Sequence, residues 1–294
     1  MPEISSTSKG TVSEQLLSVL FQHRAATTAQ LHRLLSPQPH LVYLRRCLRA
    51  LREAGLVDSV DRAYHPSVWA LTRRGQVTVL GWPQFAGRRA YRAGAGVHSV
   101  HTLTVTRTAV VFLQGARLLG DEFGPLDWRV EVAHPVRDGA GDGERMLIAD
   151  ALLHYTRTQP HRALLRALVE VDRATESSER LASKLITYAR YHGHHGTPGG
   201  RRGGGPQLSV ASWQRAYPVF PRVLFVLTGA GPRALAQRIA DLRAMARQHP
   251  LAAPFAAQVP VGAAVLEDLE EQGASSPVWS SLSTGRASCT WMDV

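Results

Sequence analysis

Apolar residues recur every three or four positions through the first third of the chain and every second position near its middle, which predicts short helices followed by a sheet. Leu16, Leu17, Val19 and Leu20 mark a first helix over residues 13–23 that opens at a serine cap. Thr27 or Thr28 caps a short second helix carrying Leu31, Leu34 and Leu35, and Pro37 opens a third that runs to about Ala54 and ends at Gly55. The third helix turns Leu41, Leu44, Leu48 and Leu51 inward and leaves Tyr43, Arg45, Arg46, Arg49 and Arg52 on its other faces. Two short strands follow at residues 56–60 and 67–71. Further on, residues 97–119 read as a long helix and residues 127–132 as a strand, with Trp128, Val130 and Val132 on one face and Arg129 and Glu131 on the other. The run 222–228 is apolar throughout, the sign of a strand covered on both faces; a helix over 231–249 and an edge strand at 263–266 complete the pattern.

The stretch 146–191 carries the chemistry. Residues 146–155 and 164–172 are strand-like runs flanking the turn signal Thr158-Gln159-Pro160-His161-Arg162, hence a hairpin. With the turn centred on Pro160, Asp150 lies opposite Glu170, and Asp172 shares their face with Met146, Ile148, Leu152 and Leu168. Opposed carboxylates on an apolar face repel and lose solvation, so they call for a cation, a proton or a site. A helix capped by Thr175 or Ser177 follows, with Leu181, Leu185 and Tyr188 as its inward stripe and Lys184 on that stripe. Lys184 and Lys9 are the only lysines among 34 Lys and Arg residues, and a compact ammonium suits a phosphate or a nucleophilic water.

Net charge is +11 over 294 residues, with 13 basic against 5 acidic residues in positions 1–96. That bias points to an anionic partner, above all double-stranded DNA, with general solubility charge as the bland alternative. Cys47 and Cys289 are too few for a disulfide framework, no apolar run reaches the roughly 20 residues of a membrane span, and no signal peptide is visible, so a cytoplasmic, DNA-associated protein is expected.

Helix, helix, helix and hairpin is the winged-helix order, and Trp69-Ala70-Leu71-Thr72-Arg73-Arg74-Gly75 resembles the segment that follows the wing in many bacterial winged-helix regulators. Tyr43, Arg45, Arg46, Arg49 and Arg52 on the third helix and Arg73 and Arg74 after the wing are the expected DNA-binding residues; the alternative use of such a domain is protein docking. The organisation expected is a disordered lead (1–12), a winged helix (13–82), a glycine-rich basic linker (83–96), an α/β (α+β) domain (97–270) and a C-terminal tail (271–294). His98 and His101, three apart on the long helix, are either metal ligands or structural. The segment 192–205, with His192, His194, His195, Arg201 and Arg202 among glycines, reads as a mobile loop.

Helix, strand, strand, strand, helix, strand over residues 97–228 resembles the PD-(D/E)XK nuclease core, a restriction-endonuclease-like αβββαβ arrangement. That resemblance implies Mg²⁺ or Mn²⁺ held by Asp150, Glu170 and Glu131, with Lys184 and Asp172 in catalytic positions. The motif departs from the pattern: Ala149 stands where the family has Pro, and Asp172 where it has Lys, so Lys184 from the next helix would supply the ammonium. The alternative for this site is an inactive remnant whose carboxylates pair with Arg129 or Arg166. His101-Thr102-Leu103-Thr104-Val105, Trp128-x-x-Glu131, Ala149-Asp150-Ala151, the segment Leu168 to Glu176 and Lys184-Leu185-x-x-Tyr188, behind a winged helix, resemble the replication-relaxation family of actinobacterial and plasmid proteins. The resemblance covers residues 13–248 and implies a role in replication or relaxation of plasmid-like DNA, by metal-dependent cleavage or as a non-enzymatic regulator or accessory, with homodimerisation left open. A defence or mobile-element nuclease would carry the same residues.

Overall fold

In the computed structural model, which describes residues 10–62, 65–91, 100–137, 144–194 and 211–294, Thr11 rather than Ser13 opens the first helix. The Thr11 hydroxyl accepts from the Glu14 amide and the Glu14 carboxylate accepts from the Thr11 amide, satisfying two orphan N–H groups. α1 (Val12–His23) buries Leu16, Leu17, Val19, Leu20 and Phe21. A short strand that the pattern did not signal, β1 (Ala25–Thr27), leads into α2 (Thr28–Leu34), where Thr27 and Gln30 form the same reciprocal cap. α3 (Leu41–Glu53) starts four residues later than Pro37, because Pro39 steers Gln38 away from helical backbone and His40 Nδ1 then accepts from the Val42 amide. Its inward stripe is Leu44, Cys47, Leu48 and Leu51, with Leu41 only half-buried, and Gly55 ends the turn at φ 69°.

β2 (Val57–Arg62) and β3 (His65–Leu71) form the wing, with Val57 opposite Leu71 and Ser59 opposite Trp69, and β1 adds on the far side of β3. α4 (Arg73–Leu80) explains the Leu-Thr-x-x-Gly segment. The Thr72 hydroxyl caps it by accepting from the Gly75 amide, and a Cβ at Gly75 would stand 2.0 Å from the Leu56 carbonyl oxygen, so only glycine lets this turn dock. α5 (Val100–Leu119) belongs by its contacts to this same unit: Thr106 donates to the Ala25 carbonyl at 2.9 Å, and Arg117 donates to the carbonyls of Arg33, Leu34 and Leu35 at 2.6 to 3.0 Å, satisfying the open end of α2.

By contact the chain divides into two units, Met1–Val130 with His154–Ala163, and Glu131–Leu153 with Leu164–Val294. The fold is mixed α+β, a largely helical first region followed by a sheet domain. The sheet domain is built on β4 (Trp128–Arg137), β5 (Glu144–Arg157), β6 (Ala163–Asp172), α6 (Ser178–Gly193), β7 (Arg222–Leu227), α7 (Pro232–Gln248), α8 (Ala252–Gln258), β8 (Val261–Val265), α9 (Leu266–Gln272) and β9 (Ser280–Ser281), with the first residues of β4, the end of β5 and the first residue of β6 counted in the first unit. The sheet order is β4-β5-β6-β7-β8-β9, with β6, β7 and β8 parallel. β8 is therefore interior, paired with β7 and β9, and not the edge strand expected at 263–266.

One face of this sheet packs Leu168, Val223, Phe225, Leu227, Val261 and Ala263 against Leu181, Leu185 and Tyr188 of α6, Leu235 and Leu242 of α7, and Phe255 of α8. On β5, Leu147 and Ala149 join that core, and so does Leu152, so the inward parity switches across Asp150 and Ala151. Met146 and Ile148, expected inside, are exposed as a consequence. The C-terminal segment is also integral. Trp279 and Trp291 are fully buried, and a Cβ on Gly262 would meet Val294 at 2.6 Å.

Candidate functional site

The first unit presents a basic helix face. Arg45, Arg46, Arg49 and Arg52 of α3 are exposed, as are Arg73 and Arg74 in the first turn of α4. The Arg46 guanidinium lies 5.0 Å from the centre of the Tyr43 ring, and the Tyr43 phenol is held above its ordinary range chiefly by its hydrogen bond with Cys47. Arg52 is tied to the wing, donating to the Ser59 hydroxyl at 3.1 Å. Arg45 also lines a recess of about 540 Å³ with Thr28, His32, Arg33, Leu41 and Ser67, so α2, α3 and the foot of the wing together offer positive charge.

The second unit brings Asp150, Glu170 and Lys184 together. Lys184 Nζ lies 2.6 Å from Glu170 Oε2 and 4.0 Å from Asp150 Oδ2. The fold delivers each group for a local reason. Asp150 stands where β5 changes its inward face, and its Oδ2 accepts from the Val171 amide at 2.7 Å. Glu170 occupies an inward position of β6 between Leu168 and Asp172 and is 1% exposed. Lys184 rides on α6, which Ser177, not Thr175, caps by accepting from the Arg180 amide. One turn on, the Tyr188 hydroxyl donates to Glu170 Oε1 at 2.5 Å, so both oxygens of this buried carboxylate are gripped from α6.

Electrostatics shows what this arrangement costs. Burial, and then the neighbouring Asp150 charge, push the Glu170 carboxyl up to about 7, against the pull of Lys184 and Tyr188. Burial works against the Lys184 charge, but Glu170 and Asp150 outweigh it and raise the ammonium above its usual range. Tyr188 is raised further still by burial and by Glu170.

The remaining expected residues fall elsewhere. Asp172 is 8% exposed and is bound by Arg238 of α7, whose Nε and Nη2 lie 2.7 and 2.6 Å from Oδ2, while Oδ1 accepts from the Ala174 amide. Glu131 is exposed on β4 at φ 53°, whereas His134 and Val136 turn into the core beside α6. Two participants escaped the sequence reading. Tyr188 was placed on the inward stripe as packing, though it follows Lys184 by four positions; Arg238 interrupts the inward stripe Leu235, Arg238, Leu242, which is the signal that could have found it. His98, His195, Arg201, Arg202, the lead 1–9, the linker beyond Tyr91 and the turn 138–143 lie outside the described residues.

Among the described residues no three His, Cys, Asp or Glu side chains are grouped as a metal cage. Two convergent carboxylates nevertheless suit Mg²⁺ or Mn²⁺, hard ions commonly held by one or two carboxylates with phosphate and water completing the shell. Asp150 and Glu170 are the oxygen donors such an ion would take, and both Glu170 oxygens already accept from Lys184 and Tyr188.

The chain thus joins a helical unit with an exposed basic face to a sheet domain that carries paired carboxylates and a lysine. The replication-relaxation profile matches residues 17–208, most of the chain, and the chain belongs to that family. No curated protein is significantly similar to it. Among solved structures, a mutant of ZitR from Lactococcus lactis matches at 17% identity with a TM-score of 0.21, over 27% of this chain and 54% of that one. No helix among the described residues is long and apolar enough to cross a membrane.

Proposed function

We propose that this protein binds duplex DNA through α3, the wing and the start of α4, and acts in replication or relaxation of plasmid-like DNA by cleaving a phosphodiester at the Asp150–Glu170–Lys184 group. The observation that carries the reading is the approach of one of only two lysines in the chain to both Asp150 and Glu170. A DNA-binding regulator has no need of that arrangement.

Asp150 and Glu170 would hold Mg²⁺ or Mn²⁺, which supplies Lewis-acid polarisation of the phosphate and a more acidic water. The protein's own contribution is positioning. Tyr188 keeps its proton on the hydroxyl and fixes Oε1 of Glu170, and the Val171 amide fixes Oδ2 of Asp150. Lys184 holds a fully charged ammonium beside both carboxylates, placed to stabilise negative charge developing on the phosphate oxygens. The arginines of α3 hold the duplex by its backbone.

The test is incubation of supercoiled plasmid with the parent and Asp150→Ala, with Mg²⁺ or Mn²⁺ and with EDTA. Nicked or linear product from the parent alone, lost by at least about 100-fold in the variant, supports the nuclease. A second reading has its own observation: both Glu170 oxygens are already engaged, and Asp172 is locked to Arg238. On that reading the sheet domain is an inactive scaffold for a replication accessory, and every lane would show intact plasmid with a mobility shift.

A further inference from the structure

Tyr188 and Lys184 divide the Glu170 carboxylate between them, one oxygen each. The Tyr188 hydroxyl, neutral and fully buried, donates to Oε1 at 2.5 Å from inside the core. The Lys184 ammonium holds Oε2 at 2.6 Å and stands 4.0 Å from Asp150 Oδ2, the oxygen that the Val171 amide fixes at 2.7 Å. Because the same ammonium reaches both carboxylates, Oε2 is the Glu170 oxygen that faces Asp150. An ion shared by Asp150 and Glu170 has to take Oε2, and Lys184 is already on it.

Distance and charge decide which partner yields. Mg²⁺ binds oxygen at about 2.0–2.1 Å, so an ion on Oε2 would crowd and repel an ammonium 2.6 Å from that atom. Two ionised carboxylates match one divalent ion unaided. With the ammonium still in contact, the site would carry surplus positive charge beside a glutamate that is 1% exposed, where little water offsets it. Tyr188 has no exposed surface into which it could swing. Lys184 can move, since its side chain is 34% exposed and its ammonium rides on a flexible stem.

We propose that Lys184 is an internal counter-cation of Asp150 and Glu170 that a divalent ion must displace, so that loading the ion frees the ammonium for a phosphate oxygen. The inference rests on the divalent-ion reading of this site and adds its regulation: Lys184 sets how tightly the site takes its ion. Engagement of both Glu170 oxygens then marks a site held in reserve.

The test uses the full chain without DNA. Calorimetric titration with Mn²⁺ would compare the parent, Lys184→Met, Lys184→Gln and Asp150→Ala at low and at high potassium chloride. Removing the ammonium should tighten binding by at least about 10-fold in both Lys184 variants, and the gain should persist at high salt, which screens distant charges far more than contacts. Asp150→Ala should bind more weakly than the parent. A second measurement leaves Lys184 in place. Lysine occurs only at positions 9 and 184, so protein isotope-labelled at lysine Cε gives two NMR signals, and Lys9→Arg removes one and assigns the other. Saturating Mg²⁺ should move the Lys184 signal toward that of free lysine.

Binding by the parent that is weakened in Asp150→Ala, with no gain at high salt in either Lys184 variant and an unmoved Lys184 signal, would overturn displacement and leave the ion reading standing. No binding by any of the proteins, or parent-like binding by Asp150→Ala, would remove the ion reading and the inference with it. Binding by the Lys184 variants where the parent shows none would support displacement in its strongest form.

Discussion

The exposed arginines of α3 and the buried carboxylates beside α6 are the two charged regions that the sequence singled out, and they obey opposite physics. Arg45, Arg46 and Arg49 stand in water, where charge costs little to hold and does little for stability. Glu170 and Asp172 stand at 1% and 8% exposure, where each needs a bonded counter-charge, and the fold supplies Lys184, beside the neutral Tyr188 hydroxyl, to one and Arg238 to the other. Exposed charge therefore reports what the protein meets, and buried charge reports what the protein has had to arrange. Substitutions that remove one charge at a time should separate the two regions by their effect on stability.

The largest effect should come from Arg238→Met. It leaves Asp172 buried without its cation, and removing one partner of a buried pair costs about 3–5 kcal/mol. Chemical denaturation of parent, Arg238→Met, Asp172→Asn and the double variant would show it, with the double variant recovering much of the loss. An additive double variant would mean that the pair at 2.6 Å is not coupled and that Asp172 has a different task.

Lys184→Met should cost less, about 1–3 kcal/mol, because its side chain is 34% exposed and because Glu170 can take up a proton once its cation is gone. The same variant should lose plasmid cleavage. Full stability of Lys184→Met at pH 8 would indicate that Glu170 was not relying on the ammonium.

The pH dependence of stability should have opposite signs in the two units. In the first, burial lowers His23 from 6.5 to about 4, with Nε2 against the Pro125 carbonyl at 2.8 Å. The unfolded chain binds more protons in that window, so the His23 contribution is present above pH 6.5 and is lost as pH falls toward 4. In the second, Glu170 is raised from 4.5 to about 7, so its contribution is present below pH 4.5 and is lost as pH rises through 7. Between pH 4 and 8, His23→Gln should remove a component of stability that rises with pH from about 4 to 6.5, and Glu170→Gln one that falls with pH from 4.5 to about 7. Equal changes in both variants would contradict the assignment of one trend to each unit.

Much of this arrangement was legible because it follows from local rules. Periodicity located α1, α2, α3 and α6, and the central hairpin and the doubly buried β7 followed from strand patterning. What escaped needed partners distant in sequence. β1 has three residues and exists through pairing with β3 across more than forty positions, which no local pattern announces. The face of β5 inverts across Asp150 and Ala151, so strict alternation placed Met146 and Ile148 inside when they are outside. Asp150, Glu170 and Lys184 were found together because a hairpin and the helix after it keep them close in sequence. Arg238, which occupies Asp172, comes from a helix sixty-six residues further on. Long-range counter-charges of that kind become visible only when the chain is folded.

The smallest effect on stability should come from the α3 surface, and it completes the contrast. Replacing Arg45, Arg46 and Arg49 together by Ala removes three exposed charges whose side chains lie outside the inward stripe of Leu44, Cys47, Leu48 and Leu51. Alanine favours helix, and changes at exposed positions usually stay within about 0.5 kcal/mol, so the denaturation midpoint should not move appreciably. Binding should respond strongly. With three phosphate contacts gone, the slope of log affinity against log salt should fall by close to three, and the affinity difference from the parent should shrink as salt rises. A stability loss of several kcal/mol would place these arginines in the structural economy of the domain, alongside Lys184 and Arg238. An unchanged midpoint with an unchanged salt slope would instead overturn the proposed role of α3 in DNA binding, and the positive charge of the first unit would have to act through α2 or the wing.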